Sequence, residues 1–84
     1  MRKIWSDEAW EEYLYWQTQD KKTLKRINKL IQDIERNGTQ GIGKAEPLKY
    51  QKGYNRRIDE QNRLIFDIEE GSLYIVSCKG HYED

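Results

Sequence analysis

Apolar residues recur at helical spacing through the first half of the chain and at strand spacing through its last third. Leu24, Ile27, Leu30, Ile31 and Ile34 return every three or four positions, the mark of a helix that buries one face. Asp20 stands before this run as an N-cap. Asn37-Gly38 ends it with the left-handed residue that a helix C-terminus favours. A first helix is predicted from the Ser6 cap to about Gln17, with Asp7 and Glu8 at the positive end of its dipole. Trp5 and Trp10 bracket that cap at the spacing of a hydrophobic staple. Residues 2–5 read as a short strand before it. A loop over 38–45 carries Gly38, Gly41 and Gly43, and three strands follow, at about 54–60, 63–69 and 72–79. Asp59-Glu60-Gln61-Asn62 joins the first two, Glu69-Glu70-Gly71-Ser72 turns between the last two, and a short extended piece surrounds Leu48.

The order β-α-α-β-β-β predicts an α+β fold, its N-terminal strand and αα-hairpin packed on one face of a twisted antiparallel sheet. Strand parity then sorts the side chains. Leu64, Phe66 and Ile68 share the helix-packed side, and Arg63, Ile65 and Asp67 share the open one. Turning Val76 and Cys78 inward as well would place Lys79 and His81 on the open face beside Arg63.

Eighty-four residues make one domain, since two halves would each fall short of a core. With 36% of residues charged, disorder is the first question, and the apolar periodicity, three tryptophans and six tyrosines answer it. Trp5, Trp10 and Trp16 read as core or helix-seam residues. Tyr54 and Tyr82 lie near basic residues, where they are also candidates for stacking on a nucleobase. The lone Cys78 cannot form an intramolecular disulfide and reads as a small buried hydrophobe. With neither a signal peptide nor a membrane span in view, a cytoplasmic protein is expected.

Net charge is zero, and the average conceals a pattern. Residues 1–20 carry net −3, residues 21–63 net +7 and residues 64–84 net −4. A polyanion would meet the middle segment. Lys21, Lys22, Lys25, Arg26 and Lys29 share one helix and read as a solvated face. The later cluster of Lys44, Lys49, Lys52, Arg56, Arg57 and Arg63 follows glycines and meets strands, as a binding surface would.

With one histidine and one cysteine, no zinc site is expected, and no other cofactor is called for. The glycine loop lacks the Gly-Lys-Ser/Thr ending of a phosphate-binding P-loop. What remains is Glu46, stiffened by Pro47 at the rim of a basic face, with Arg63 and His81. A carboxylate, a guanidinium and an imidazole are the least that RNA self-cleavage needs: a base, a cation and an acid.

Several stretches carry a resemblance. Ile4-Trp5-Ser6, Trp10, Tyr13-Leu14-Tyr15-Trp16 and Lys25-Arg26-Ile27-Asn28-Lys29-Leu30-Ile31 resemble the YoeB-type toxins of the RelE superfamily. So do Gly41-Ile42-Gly43-Lys44-Ala45-Glu46-Pro47-Leu48-Lys49, Arg56-Arg57-Ile58, Asn62-Arg63-Leu64 and Cys78-Lys79-Gly80-His81-Tyr82, in order and over almost the whole chain. The resemblance implies a toxin that cuts translated mRNA in the ribosomal A site, with Glu46 as general base, His81 as general acid and Arg63 stabilising the transition state. Lys49 and Arg57 would hold the RNA backbone, and Tyr82 would help arrange the site. It further implies a cognate antitoxin whose C-terminal segment wraps the toxin, contact with promoter DNA through that antitoxin, and a toxin homodimer. Two features depart from the family. The turn at Gly53-Tyr54-Asn55 is shorter, which leaves the alignment of Arg57 open to a shift, and Glu83-Asp84 extend past the His-Tyr pair. Those two carboxylates would repel a phosphate backbone or favour a protonated His81. Other classes stay open: a gyrase-poisoning toxin, a branch that lacks the Glu-Arg-His set, and a plain RNA- or protein-binding module.

Overall fold

The computed structural model describes residues 1–40 and 45–80. Strand β1 (Arg2–Trp5) leads into helices α1 (Asp7–Gln19) and α2 (Lys21–Asn37). Strands β2 (Glu46–Pro47), β3 (Tyr54–Arg57), β4 (Arg63–Glu69) and β5 (Ser72–Ser77) follow, and the five strands form one sheet in the order β1-β5-β4-β3-β2. The α+β class predicted from the sequence is the fold observed. Its sheet is mixed, because β1 pairs parallel with β5 while the other three pairings are antiparallel.

The helix signals act where the sequence puts them. Ser6 accepts from the Ala9 amide at 3.0 Å, and its own hydroxyl donates to the Val76 carbonyl at 2.8 Å, tying the start of α1 to the sheet. Asp20 accepts from the amides of Lys22 and Thr23. Gly38, at φ 63°, closes α2 by donating to the Ile34 carbonyl. The Trp5 and Trp10 rings meet edge to face, 5.7 Å between centroids. Trp10 is nevertheless 45% exposed, so the core expectation holds for Trp16, which is buried, and only loosely for Trp10.

Ile27, Leu30, Ile31 and Ile34 of α2 and Ala9 and Trp16 of α1 pack with Leu64, Phe66, Leu73, Ile75 and Cys78. Each fully buried Leu, Ile or Phe contributes about 1.5–3 kcal/mol. Tyr54 stacks on Phe66 at 5.8 Å on this same side, which makes it a core residue and not a base-stacking one.

Strand β5 departs from the predicted parity. Its inward residues are Leu73 and Ile75, while Tyr74 and Val76 are exposed. A bulge explains the change: Phe66 faces Ile75 and Ile65 faces Ser77, so Val76 is an extra residue opposite no partner. One inserted residue reverses the alternation. Cys78 therefore returns to the core although Val76 does not, and the predicted parity is corrected for Leu73, Tyr74, Ile75 and Val76. Lys79 does not join Arg63 on the open face either. Its ammonium sits 4.8 Å over the Tyr15 ring, beside α1.

Gly53 holds φ at 127°, and a Cβ there would meet the Phe66 carbonyl oxygen at 3.0 Å and Leu48 Cδ1 at 3.3 Å. Gly53→Ala is expected to destabilise by more than about 1 kcal/mol, read as a lower urea midpoint with an unchanged slope. A midpoint equal to wild type would contradict the tight approach.

Candidate functional site

Register across the sheet sets out the open face. Glu46, Asn55, Ile65 and Ser77 form one row over β2, β3, β4 and β5. Arg57 and Arg63 face each other directly in the adjoining open-face position of β3 and β4. Between them and the first row lies the pair Arg56–Leu64, pointing to the core. Ile65 is 2% exposed yet stands outside the core cluster, so it forms an apolar floor to this face. With strands about 4.8 Å apart and same-face residues about 6.8 Å apart along a strand, the Cα atoms of Glu46 and Arg63 lie roughly 12 Å apart. Two long side chains and one phosphodiester span such a gap.

Arg57 and Arg63 put like charges directly opposite one another, an arrangement that costs stability unless an anion relieves it. Neither forms an ion pair among the described residues. Arg63 is held instead by a neutral contact, its Nη1 donating to the Asp59 carbonyl at 3.0 Å.

Gly80 approaches the same place. The Arg63 amide donates to the Gly80 carbonyl at 3.0 Å, and Asn62 Oδ1 accepts from the Gly80 amide at 2.8 Å. His81 is the next residue in the sequence. From the helix side, Glu12 accepts from the Cys78 amide at 2.7 Å and the Trp16 indole donates to the Cys78 carbonyl at 3.0 Å. The Cys78 thiol is buried, and burial pushes it up to about 12, so it is an inert packing group.

Of the residues read from the sequence, Glu46, Arg57 and Arg63 share the open face, and Lys49 is exposed on the loop between β2 and β3. Lys44, His81 and Tyr82, with Glu83 and Asp84, lie outside the described residues. Lys52 is exposed but engaged, its ammonium 2.8 Å from Glu69 and 3.8 Å from Asp67. The bond that Lys52 donates to Glu69 is the main cause holding its pKa above the ordinary value; burial opposes it, and the charges of Glu69 and Asp67 add to it. Arg56 is a correction. Its side chain is 1% exposed and pairs with Asp33 of α2 at 2.7 Å, so it cannot lie on an RNA-binding face. Neighbouring residues of a strand point to opposite sides, and once Arg57 faces out Arg56 must face in.

Sequence reading missed Glu12, Asp59 and Asn62. Burial raises the Glu12 carboxyl above its ordinary 4.5, outweighing the bond from the Cys78 amide. The folded state therefore keeps that proton to higher pH than the unfolded chain. The linked stability is lost as pH climbs from about 4.5 through the raised value. Glu12→Gln, which retains an acceptor for Cys78, should remove this loss. Urea titrations at about pH 4 and about pH 7 should show the variant gaining on wild type at the higher pH, and an equal gap at both would contradict it.

This combination of fold and face defines a small α+β protein with a cationic, open-faced sheet and Gly80 bonded beside Arg63. Comparison with known proteins places it among its relatives. The family model described as "YoeB-like toxin of bacterial type II toxin-antitoxin system" matches residues 5–82. Toxin YoeB of Escherichia coli K12 is 46% identical over 84 residues, covering 98% of this chain and all of that one. The YoeB of the Staphylococcus aureus YoeB–YefM complex superimposes with a TM-score of 0.89 at 41% identity, covering 98% of both chains. A Staphylococcus aureus YoeB dimer gives 0.90 at 42% identity with the same coverage. The chain belongs to the YoeB-like toxins of bacterial type II toxin–antitoxin systems.

Proposed function

We propose that this toxin is a ribosome-dependent mRNA endoribonuclease that inhibits translation by metal-free general acid–base chemistry. Glu46 takes the proton of a 2′-hydroxyl, whose oxygen attacks the adjacent phosphorus. As the P–O2′ bond forms, the P–O5′ bond breaks and His81 protonates the leaving 5′-oxygen. Arg63 stabilises the charge that gathers on the phosphoryl oxygens, Tyr82 helps arrange the acid, and Arg57, Lys49 and Lys44 hold the flanking backbone. The products are a 2′,3′-cyclic phosphate and a 5′-hydroxyl. The observation that carries this reading is the Arg57–Arg63 pair, like charges face to face without a carboxylate partner among the described residues. Glu46 bounds that pair on one side and the segment leading to His81 on the other.

The partners follow from the family and its solved members. A cognate antitoxin would wrap the toxin with a C-terminal segment that folds on binding, its acidic residues matching the +7 middle of this chain. The antitoxin would carry the pair to promoter DNA, and the toxin would form a homodimer as its Staphylococcus aureus relative does. The substrate is mRNA on the 70S ribosome.

End-group analysis tests the chemistry. The downstream fragment should accept a labelled phosphate from polynucleotide kinase without prior phosphatase treatment, because its 5′-oxygen leaves as a hydroxyl. A fragment that labels only after dephosphorylation would overturn the 2′-hydroxyl mechanism.

A further inference from the structure

The turn between β3 and β4 is organised around one carboxylate. Asp59 Oδ1 accepts from the amides of Gln61 and Asn62, both at 2.8 Å, and its two oxygens accept from Asn62 Nδ2 at 3.0 and 3.1 Å. Burial pushes this carboxyl up, the bonds from Gln61 and Asn62 pull it further down, and it stays below its ordinary 3.8. It is ionised at neutral pH and can only accept. The Asn62 side chain is buried and must turn its NH2 to Asp59, which aims its oxygen the other way, at the Gly80 amide 2.8 Å distant. The Gly80 carbonyl is taken by the amide of Arg63, and the Arg63 guanidinium by the carbonyl of Asp59. Gly80 itself turns at φ 89°, a backbone that side chains rarely adopt.

One five-residue turn thus holds both the guanidinium of Arg63 and the backbone one residue before His81. A chain end ordinarily frays, and here both polar groups of Gly80 are engaged. We infer that Asp59 and Asn62 are positioning residues, a latch that fixes the Gly80 backbone, one residue before His81 in the sequence, against Arg63. This deepens the nuclease reading and rests on it. Transfer of a proton to the leaving oxygen while Arg63 holds the phosphoryl group demands that acid and cation keep fixed spacing. Losses of about a hundredfold accompany a displacement of about 1 Å.

The test uses the full toxin in a single-turnover cleavage assay on translating ribosomes, beside hydrogen exchange at the Gly80 amide. Asn62→Asp keeps the shape of the side chain but opposes two carboxylates. It should slow cleavage roughly ten- to a hundredfold, leave the half-saturating ribosome concentration unchanged and speed Gly80 exchange. Asp59→Asn combined with Asn62→Asp restores the donor–acceptor pattern in reverse and should recover both readouts. If Asn62→Asp does not fold, Asp59→Asn alone carries the test, since it frees the Asn62 amide to invert and should show the same loss. Three outcomes overturn the latch: a single variant that cleaves at the wild-type rate, a loss confined to half-saturation, or a swap as slow as the single variant. A wild type that never cleaves brings down the nuclease reading instead, and the latch with it.

Discussion

Replacing His81 by alanine is expected to slow translation-dependent mRNA cleavage by roughly 10²–10⁴, the worth of one positioned proton-transfer group. Glu46→Ala should fall in the same range. The double variant should lose much less than the product of the two factors, because an acid and a base that act in one displacement fail as a unit. Ribosome binding should change little in either, since on this proposal Arg57, Lys49 and Lys44 would carry the backbone contacts. Stopped-flow or quench measurements at saturating toxin separate these effects. A binding module built on the same fold would behave differently, holding RNA in a salt-dependent way and inhibiting translation undiminished after His81→Ala.

The second large effect concerns stability. Asp33→Ala should cost about 3–5 kcal/mol, because it strands a guanidinium that is almost wholly buried. That is a large part of the ~5–15 kcal/mol that holds a domain together. Arg56→Met, of similar volume, should cost clearly less. It removes the charge along with its desolvation, and Arg56 Nε and Nη2 have no acceptor among the described residues. Urea denaturation of both variants gives the comparison. Equal losses would mean that the ion pair stabilises on its own account. The same result bears on the interface: RNA cleavage by a folded Arg56→Met protein should persist, since this arginine lies behind the sheet and not on its open face.

Local signals account for most of what is legible in the sequence. The caps at Ser6 and Asp20, the stop at Gly38 and the turn at Glu70-Gly71 involve residues within four positions of one another, and each lies where the sequence put it. The α1 helix runs two residues past Gln17, and β3 stops at Arg57 instead of reaching 60. What could not be read depends on distant parts of the chain. The parallel pairing of β1 with β5 joins residues about seventy positions apart. The bulge at Val76 leaves no sequence mark, because Tyr74, Val76 and Cys78 form as regular an apolar alternation as Leu73 and Ile75. Arg56 was legible in part: Leu64 faces in, and its register partner must do the same. Its partner Asp33, three residues after Leu30 on the buried side of α2, was the available hint. Glu46, Arg57 and Arg63 reach one face as parity and turn lengths imply. Asn62 could be seen only as part of a turn, since its bond to Gly80 crosses eighteen positions.

Primer extension on a message translated in vitro, with toxin and with no other change, addresses the proposal most directly. New ends are expected inside codons, appearing only while ribosomes move along the message and vanishing in the His81→Ala protein. Cuts in naked RNA at the same speed, or inhibition of translation with the message intact, would contradict it.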